Sequence, residues 1–210
     1  MQPFQIVTGP AIPFRRPNTD TDVIIRIERL SELQRHELGP YAFEALRRRA
    51  DQTDDPDCVF NRDVYKGAPI LIAGENFGCG SSREGAVWAI AELGIRCIIA
   101  PSFGGIFANN CFQNGVLTIQ LPDETVHRLA EIAEADARAP FTVDLAAKTL
   151  LPPNEAAIPF DIETLRQQAL LAGTDELGMT LARVAELEAF ELRDAVERPW
   201  VYLNDQMRRC

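Results

Sequence analysis

Apolar residues along this chain fall into short runs whose spacing switches between two periods. Pro69 to Ala73 is near-continuous, the pattern of a strand buried on both faces. Ala86 to Leu93 follows at helical spacing and stops at Gly94, and Ile95 to Ala100 returns to an apolar run. Ile106 to Phe112 reads as a further helix, closing near Asn114-Gly115, and Val116 to Leu121 as a third strand. Strand, helix, strand, helix, strand in this order implies right-handed crossovers and a mainly parallel sheet with helices packed on it. The fold class is α/β.

The flanks are less regular. Phe4 to Val7 predicts a short strand, and the proline-punctuated stretch from Pro10 to Pro17 cannot be continuous helix. Val23-Ile24-Ile25 reads either as a strand or as the buried base of a loop. Ser31 to Ala50 is helix-like but broken by Gly39-Pro40, and Asp51 to Asp57 is an acidic, turn-rich connector, so 26–57 is expected to be mobile. Beyond the core, Asp123 is placed to cap a helix carrying Val126, Leu129, Ala130 and Ala133 at helical spacing. Phe141 to Leu145 and Thr149 to Leu151 predict a hairpin, which would make the sheet mixed. A helical extension is expected over 160–210. There Asp161 is the expected N-cap, Phe160 staples on Leu165 and Gly173 stops the helix. A last helix puts Leu181, Val184, Leu187 and Phe190 on one face.

Composition narrows the function classes. At 210 residues, with 46% hydrophobic and 25% charged residues, the chain suits one domain spanning 1–210. No stretch approaches the roughly 20 apolar residues of a membrane span. The opening Met1-Gln2-Pro3-Phe4 lacks the plan of a signal peptide, so no membrane and a cytoplasmic location are expected. A formal charge of −10 repels phosphate backbones, which argues against nucleic acid and for a small molecule or a protein partner. Five cysteines without any CxxC pair favour free thiols over a disulfide framework or a zinc site.

The chemistry concentrates in Asn76-Phe77-Gly78-Cys79-Gly80-Ser81-Ser82-Arg83-Glu84, between a predicted buried strand and a helix start, where ligands bind in α/β sheets. Gly78 and Gly80 permit positive φ and close backbone approach, and the helix start offers unpaired N–H groups to an anion. Ser81 and Ser82 add hydroxyls, and Arg83 a planar fork suited to a carboxylate. An ordinary N-cap with turning glycines is the plain alternative. A phosphate loop fits less well, because no GK[ST] ending is present. Cys79 as a thiol nucleophile would need a nearby base, and only His36 and His127 exist.

This nine-residue segment resembles the NFGCGSSRE signature of 3-isopropylmalate dehydratase small subunits, themselves similar to the swivel domain of aconitase. Asn18 to Ile25 is similar to that family's N-x-DTD-x-II entry, Ala100-Pro101-Ser102-Phe103 to its strand end, and Asp175 to Leu181 to its D-x-IGLTL. The resemblance runs in order along nearly the whole chain. It implies a swivel-like fold, three-layer or barrel-like, and a hydro-lyase that interconverts 2- and 3-isopropylmalate in leucine biosynthesis. It implies Ser81 as the base that takes a proton from carbon, Arg83 as the grip on a substrate carboxylate, Ser82 and Gly80 as helpers in binding, and Asp22 as the residue that orders the site. No cofactor is expected on this chain alone. The resemblance puts a [4Fe-4S] cluster on a large-subunit partner, without which the chain should not work, and makes the substrate a small dicarboxylate.

Three departures from the family pattern stand out, one of them Gly104-Gly105 where the family commonly has Ala-Asp or Ala-Arg, a local change with no assigned consequence. The family's signature continues with histidine, where this chain has Gly85. After Ile24-Ile25 the family usually has a proline followed by a motif ending in an aromatic and Leu, a loop that helps recognise the substrate's side chain, whereas here it reads Arg26-Ile27-Glu28-Arg29-Leu30. That charged loop is a solvated turn, a salt-bridged loop facing the partner, or a sign of a more polar or other branched malate, such as 2-methylmalate or dimethylmalate. Gly85 leaves open a third reading, a non-catalytic regulatory relative.

Overall fold

The computed structural model describes residues 1–80 and 83–202. In chain order the strands are β1 (Ile6–Gly9), β2 (Ala11–Phe14), β3 (Ile70–Ala73), β4 (Cys97–Ala100), β5 (Leu117–Gln120), β6 (Phe141–Asp144), β7 (Thr149–Leu151) and β8 (Ile158–Pro159). The helices are α1 (Thr21–Ile24), α2 (Ile27–Glu32), α3 (Glu44–Arg47), α4 (Glu84–Glu92), α5 (Gly105–Gln113), α6 (Asp123–Ala135), α7 (Thr164–Ala172), α8 (Glu176–Leu181) and α9 (Val184–Glu197).

The expected parallel sheet is present, with strand order β2-β3-β4-β5. Its residues alternate between two cores, as the two-residue period of a strand requires. Leu71, Ala73, Ile98 and Ala100 pack toward α4 and α5, and Ile70, Ile72, Cys97 and Ile99 toward α6 and the second sheet. Ile70, Leu71 and Ile72 are fully buried. Such burial contributes about 1.5–3 kcal/mol per side chain. The predicted hairpin does not extend this sheet. It joins β1 and β8 in a separate antiparallel sheet, order β1-β6-β7-β8, because Ile6–Gly9 pairs with Phe141–Asp144 from the far end of the chain. The layers are therefore helices, parallel sheet, and a mixed layer of α6, α7 and antiparallel strands.

Several local expectations change. Val23-Ile24-Ile25 is the buried base of a loop, with Ile24 inside one helical turn and Ile25 ending it, both fully buried. The stretch 31–50 breaks into short helices and 3-10 turns, with Phe43 in the left-handed region at φ 57°. Around the acidic connector, Arg47 Nε donates to Asn61 Oδ1 and Asn61 Nδ2 donates to the carbonyls of Arg47 and Asp55. Pro122 takes the N-cap position of α6, so Asp123 lies inside its first turn. Asp161 does not cap α7. The Phe160 amide bonds Lys148 O, which holds the chain extended beside β7, and the helix begins only at Thr164 with Leu165 exposed rather than stapled. Gly173 does stop α7, at φ 70°. Val184, Leu187 and Phe190 lie on α9, Leu181 ends α8, and all four side chains are exposed. No helix among the described residues is long and apolar enough to cross a membrane.

Candidate active site

The site forms where β2, β3 and β4 end, at the carboxyl edge of a parallel sheet. The three loops leaving these strands pair with one another. Asn18 N bonds Glu75 O at 2.9 Å, Gly78 N bonds Thr19 O at 2.8 Å and Thr21 N bonds Cys79 O at 3.1 Å. On the other side Phe77 N bonds Ser102 O at 3.1 Å and Gly104 N bonds Phe77 O at 2.9 Å. The loop from Asn76 to Cys79 is thus held like a strand between two neighbours, which fixes its backbone where a ligand would approach.

Sequence explains why the loop can take this path. Asn18 and Asn76 sit at φ 50° and 53°, a region that Asn enters more readily than most side chains. Their amides meet, Asn76 Nδ2 donating to Asn18 Oδ1 at 2.8 Å. Gly78, at φ 72°, lies against the Phe107 ring, and any Cβ there would overlap it. Phe77 is buried edge-on to the same ring, with centroids 5.5 Å apart.

Gly80, Arg83 and Asp22 come together at this edge. A cleft of about 260 Å³ is lined by Thr21, Cys79, Gly80, Arg83, Gly104 and Phe107, among others. Arg83 is the N-cap residue of α4 and ion-pairs with Asp22 on α1. The α1 turn is itself capped, Asp20 Oδ1 accepting from Val23 N at 2.8 Å, so Asp22 is presented from a fixed turn. Ser81 and Ser82 lie outside the described residues. The signature's last residue faces elsewhere: Glu84 Oε1 accepts from Asn114 Nδ2, whose Oδ1 accepts from Trp88 Nε1. That network ties the first turn of α4 to the end of α5.

The five residues of the charged loop divide. Arg26, Ile27 and Glu28 are exposed. Arg29 turns inward, its Nε and Nη2 donating to the two oxygens of Glu44 at 3.0 and 2.8 Å, and its guanidinium lies 4.3 Å from the Tyr41 ring centroid. The bonded Arg29 holds the Glu44 carboxyl below its ordinary range, with burial opposing, and Glu44 in turn raises Arg29. Leu30 packs against Gly85. Arg29 is thus part of the scaffold, and only Arg26, Ile27 and Glu28 remain available to a ligand or partner.

The thiols separate by burial. Cys97 and Cys111 are fully buried, and burial pushes both thiols up, away from the thiolate form that metal ligation and nucleophilic attack require. Desolvation also raises Cys58. Cys79 lines the cleft, but no histidine does among the described residues. His127 on α6 bonds Arg15 at 2.8 Å and pairs with Glu131, and His36 is exposed in a 3-10 turn. Among the described residues no group of three His, Cys, Asp or Glu side chains is placed to hold a metal ion.

Asn18, Gly104 and Phe107 carry parts of the site to which sequence reasoning assigned no role. Their signals were weak: an asparagine before a Thr-Asp turn, and a Gly-Gly pair opening a helix. A roomier hollow of about 600 Å³ lies between α7 and the α8–α9 segment, but its lining is mostly apolar and includes no residue of the signature. The smaller cleft carries the convergent polar groups.

Comparison with known proteins finds one family along the chain. The aconitase C-terminal domain model matches residues 1–124. The 3-isopropylmalate dehydratase small subunit of Rhodospirillum centenum is 47% identical over 200 residues, covering 95% of this chain and 98% of its own. That of Dinoroseobacter shibae is 45% identical over 201 residues, covering 96% and 100%. A solved 3-isopropylmalate dehydratase structure from Methanocaldococcus jannaschii is 26% identical and superposes with a TM-score of 0.64, covering 88% of this chain and 99% of that one.

Proposed function

The chain belongs to the family of 3-isopropylmalate dehydratase small subunits, which share the aconitase C-terminal domain, and on that premise we propose that its cleft binds a branched 2-hydroxy dicarboxylate and moves its carbon-bound proton. The reaction is dehydration and rehydration, with 2- and 3-isopropylmalate as the interconverted pair in leucine biosynthesis. The observation that carries this reading is the approach of Arg83, Gly80 and the start of α4 to one cleft, immediately beside Ser81 and Ser82 in sequence.

In this reading Arg83 grips one substrate carboxylate. A forked guanidinium can keep one N–H on Asp22 while offering others to the ligand. Asp22 orders Arg83, and Gly80 lets the substrate approach the backbone closely. Ser81 is the base. Its hydroxyl must be held as an alkoxide, which the positive end of α4 and the Arg83 cation favour. Ser82 hydrogen-bonds the substrate. A [4Fe-4S] cluster held by the large subunit supplies the Lewis acid for the substrate hydroxyl. Arg26, Ile27 and Glu28, exposed at the start of α2, form the part of the loop that meets the substrate's substituent or the large subunit. The assembly works in the cytoplasm.

The test is anaerobic reconstitution of the chain with its cluster-loaded large subunit, followed by assay of 2-isopropylmalate, 2-methylmalate and dimethylmalate. Turnover of isopropylmalate that requires both subunits is expected. Preference for a smaller malate would reassign the substrate, and no turnover of any would favour a regulatory relative.

A further inference from the structure

Gly85 and Leu30 belong to different elements and meet face to face. An ideal Cβ built on Gly85 would stand 2.5 and 2.7 Å from the two terminal carbons of Leu30, well inside van der Waals contact. Gly85 lies in the first turn of α4, and its φ is not in the positive region that favours glycine. Alanine would be the better helix former there by about 0.5–1 kcal/mol. The glycine is therefore explained by space, not by backbone conformation.

The two sides of this contact differ in stiffness. On the α4 side, Ala86, Val87, Ala89 and Ile90 are fully buried, and Glu84 is tied to Asn114 at the end of α5. On the other side, α2 has no fully buried residue and is held by the Arg29–Glu44 pair and the partly buried Leu30. A larger residue at 85 would consequently push on the Leu30 side chain, and through it on α2, rather than on α4. Only Ile25 and Arg26 separate α2 from α1, where Thr21 lines the cleft and Asp22 pairs with Arg83.

We propose that the Gly85–Leu30 contact is a positioning device: beside the Asp22–Arg83 pair and the packing of Ile24 it ties 21–32 to the start of α4, and it sets the placement of the carboxylate-gripping Arg83 relative to α1. The proposal rests on the reading of the cleft as a dicarboxylate site. Because the Arg83 grip is made in ground and transition states alike, loosening it raises KM and leaves kcat nearly unchanged.

The experiment is a double-mutant cycle in the reconstituted enzyme. Gly85→Ala is expected to raise KM about tenfold with kcat held within about twofold, and adding Leu30→Ala to bring KM back to within about threefold of wild type. Hydrogen exchange of the isolated chain gives a readout independent of turnover. Faster exchange over 22–30 with unchanged exchange over 86–92 is expected in Gly85→Ala, and slower exchange again in the double variant. An unchanged KM in Gly85→Ala, purely additive effects of the two substitutions, or exchange that rises over 86–92 as well would overturn it. Absence of turnover in the wild type would defeat the functional reading alone, since the exchange arm still decides whether the tether exists.

Discussion

Replacing Gly78 by alanine tests how the site's loop is held. Two costs add. At φ 72° an alanine must adopt the left-handed region. That conformation costs an L-residue about 1–2 kcal/mol. The new methyl also overlaps the Phe107 ring, itself wedged edge-on against buried Phe77. Forcing one carbon into such a contact costs about 1–3 kcal/mol. The sum, about 2–5 kcal/mol, corresponds to a melting temperature lower by roughly 5–20 °C for a chain of this size. Calorimetry of the isolated subunit measures it. Combining Gly78→Ala with Phe107→Ala should not restore wild-type stability, because the aromatic contact is lost and the backbone cost stays. The loss in the double variant should nonetheless fall short of the sum of the two single losses, by about the overlap energy of 1–3 kcal/mol. A melting point for Gly78→Ala within about 2 °C of wild type would refute the account of the loop.

Glu44→Gln should destabilise the fold by about 1–3 kcal/mol at pH 7, since it removes the charge from a shielded, doubly hydrogen-bonded pair with Arg29. Because Arg29 holds the Glu44 carboxyl below its ordinary 4.5, the pair's contribution is complete above that value and fades as pH falls through the lowered one. Chemical denaturation from pH 7 down to pH 3 should accordingly show wild type and variant converging at the acid end; a constant gap would contradict the pairing. Arg83→Lys keeps the charge but loses the fork, and a rise in KM of about tenfold or more is expected with little change in melting temperature. An unchanged KM would remove Arg83 from carboxylate binding.

The parallel core was readable from the sequence because each of its elements announces itself locally. Ile70–Ala73, Cys97–Ala100 and Leu117–Gln120 are apolar runs, and α4 and α5 lie between them with glycine or asparagine at their ends. The second sheet was not readable in the same way. Ile6 pairs with Asp144, and nothing local in either segment names the other. The expected cap at Asp161 failed for a related reason, since β8 pairing and the Phe160 bond to Lys148 O keep the chain extended past it. Within the site, Gly80 and Arg83 stood out because glycine and arginine beside paired serines form an anion-binding pattern. The Asn18–Asn76 amide contact links residues 58 positions apart and became visible only once the strands were aligned. Arg29 read as a solvated, substrate-facing or salt-bridged charge, but its partner Glu44 lies fifteen positions on, across a turn that charge pattern alone does not predict.

The central claim is that this chain contributes the proton-moving residue, and it is tested most directly by Ser81→Ala in the reconstituted enzyme. Isomerisation of 2-isopropylmalate in deuterated water, followed by mass spectrometry, reports both the rate and the exchange of the carbon-bound hydrogen. The account predicts a fall of about 10²–10⁴ in kcat and in exchange, with substrate affinity within about threefold of wild type. A Ser81→Ala enzyme that isomerises and exchanges at the wild-type rate would contradict it.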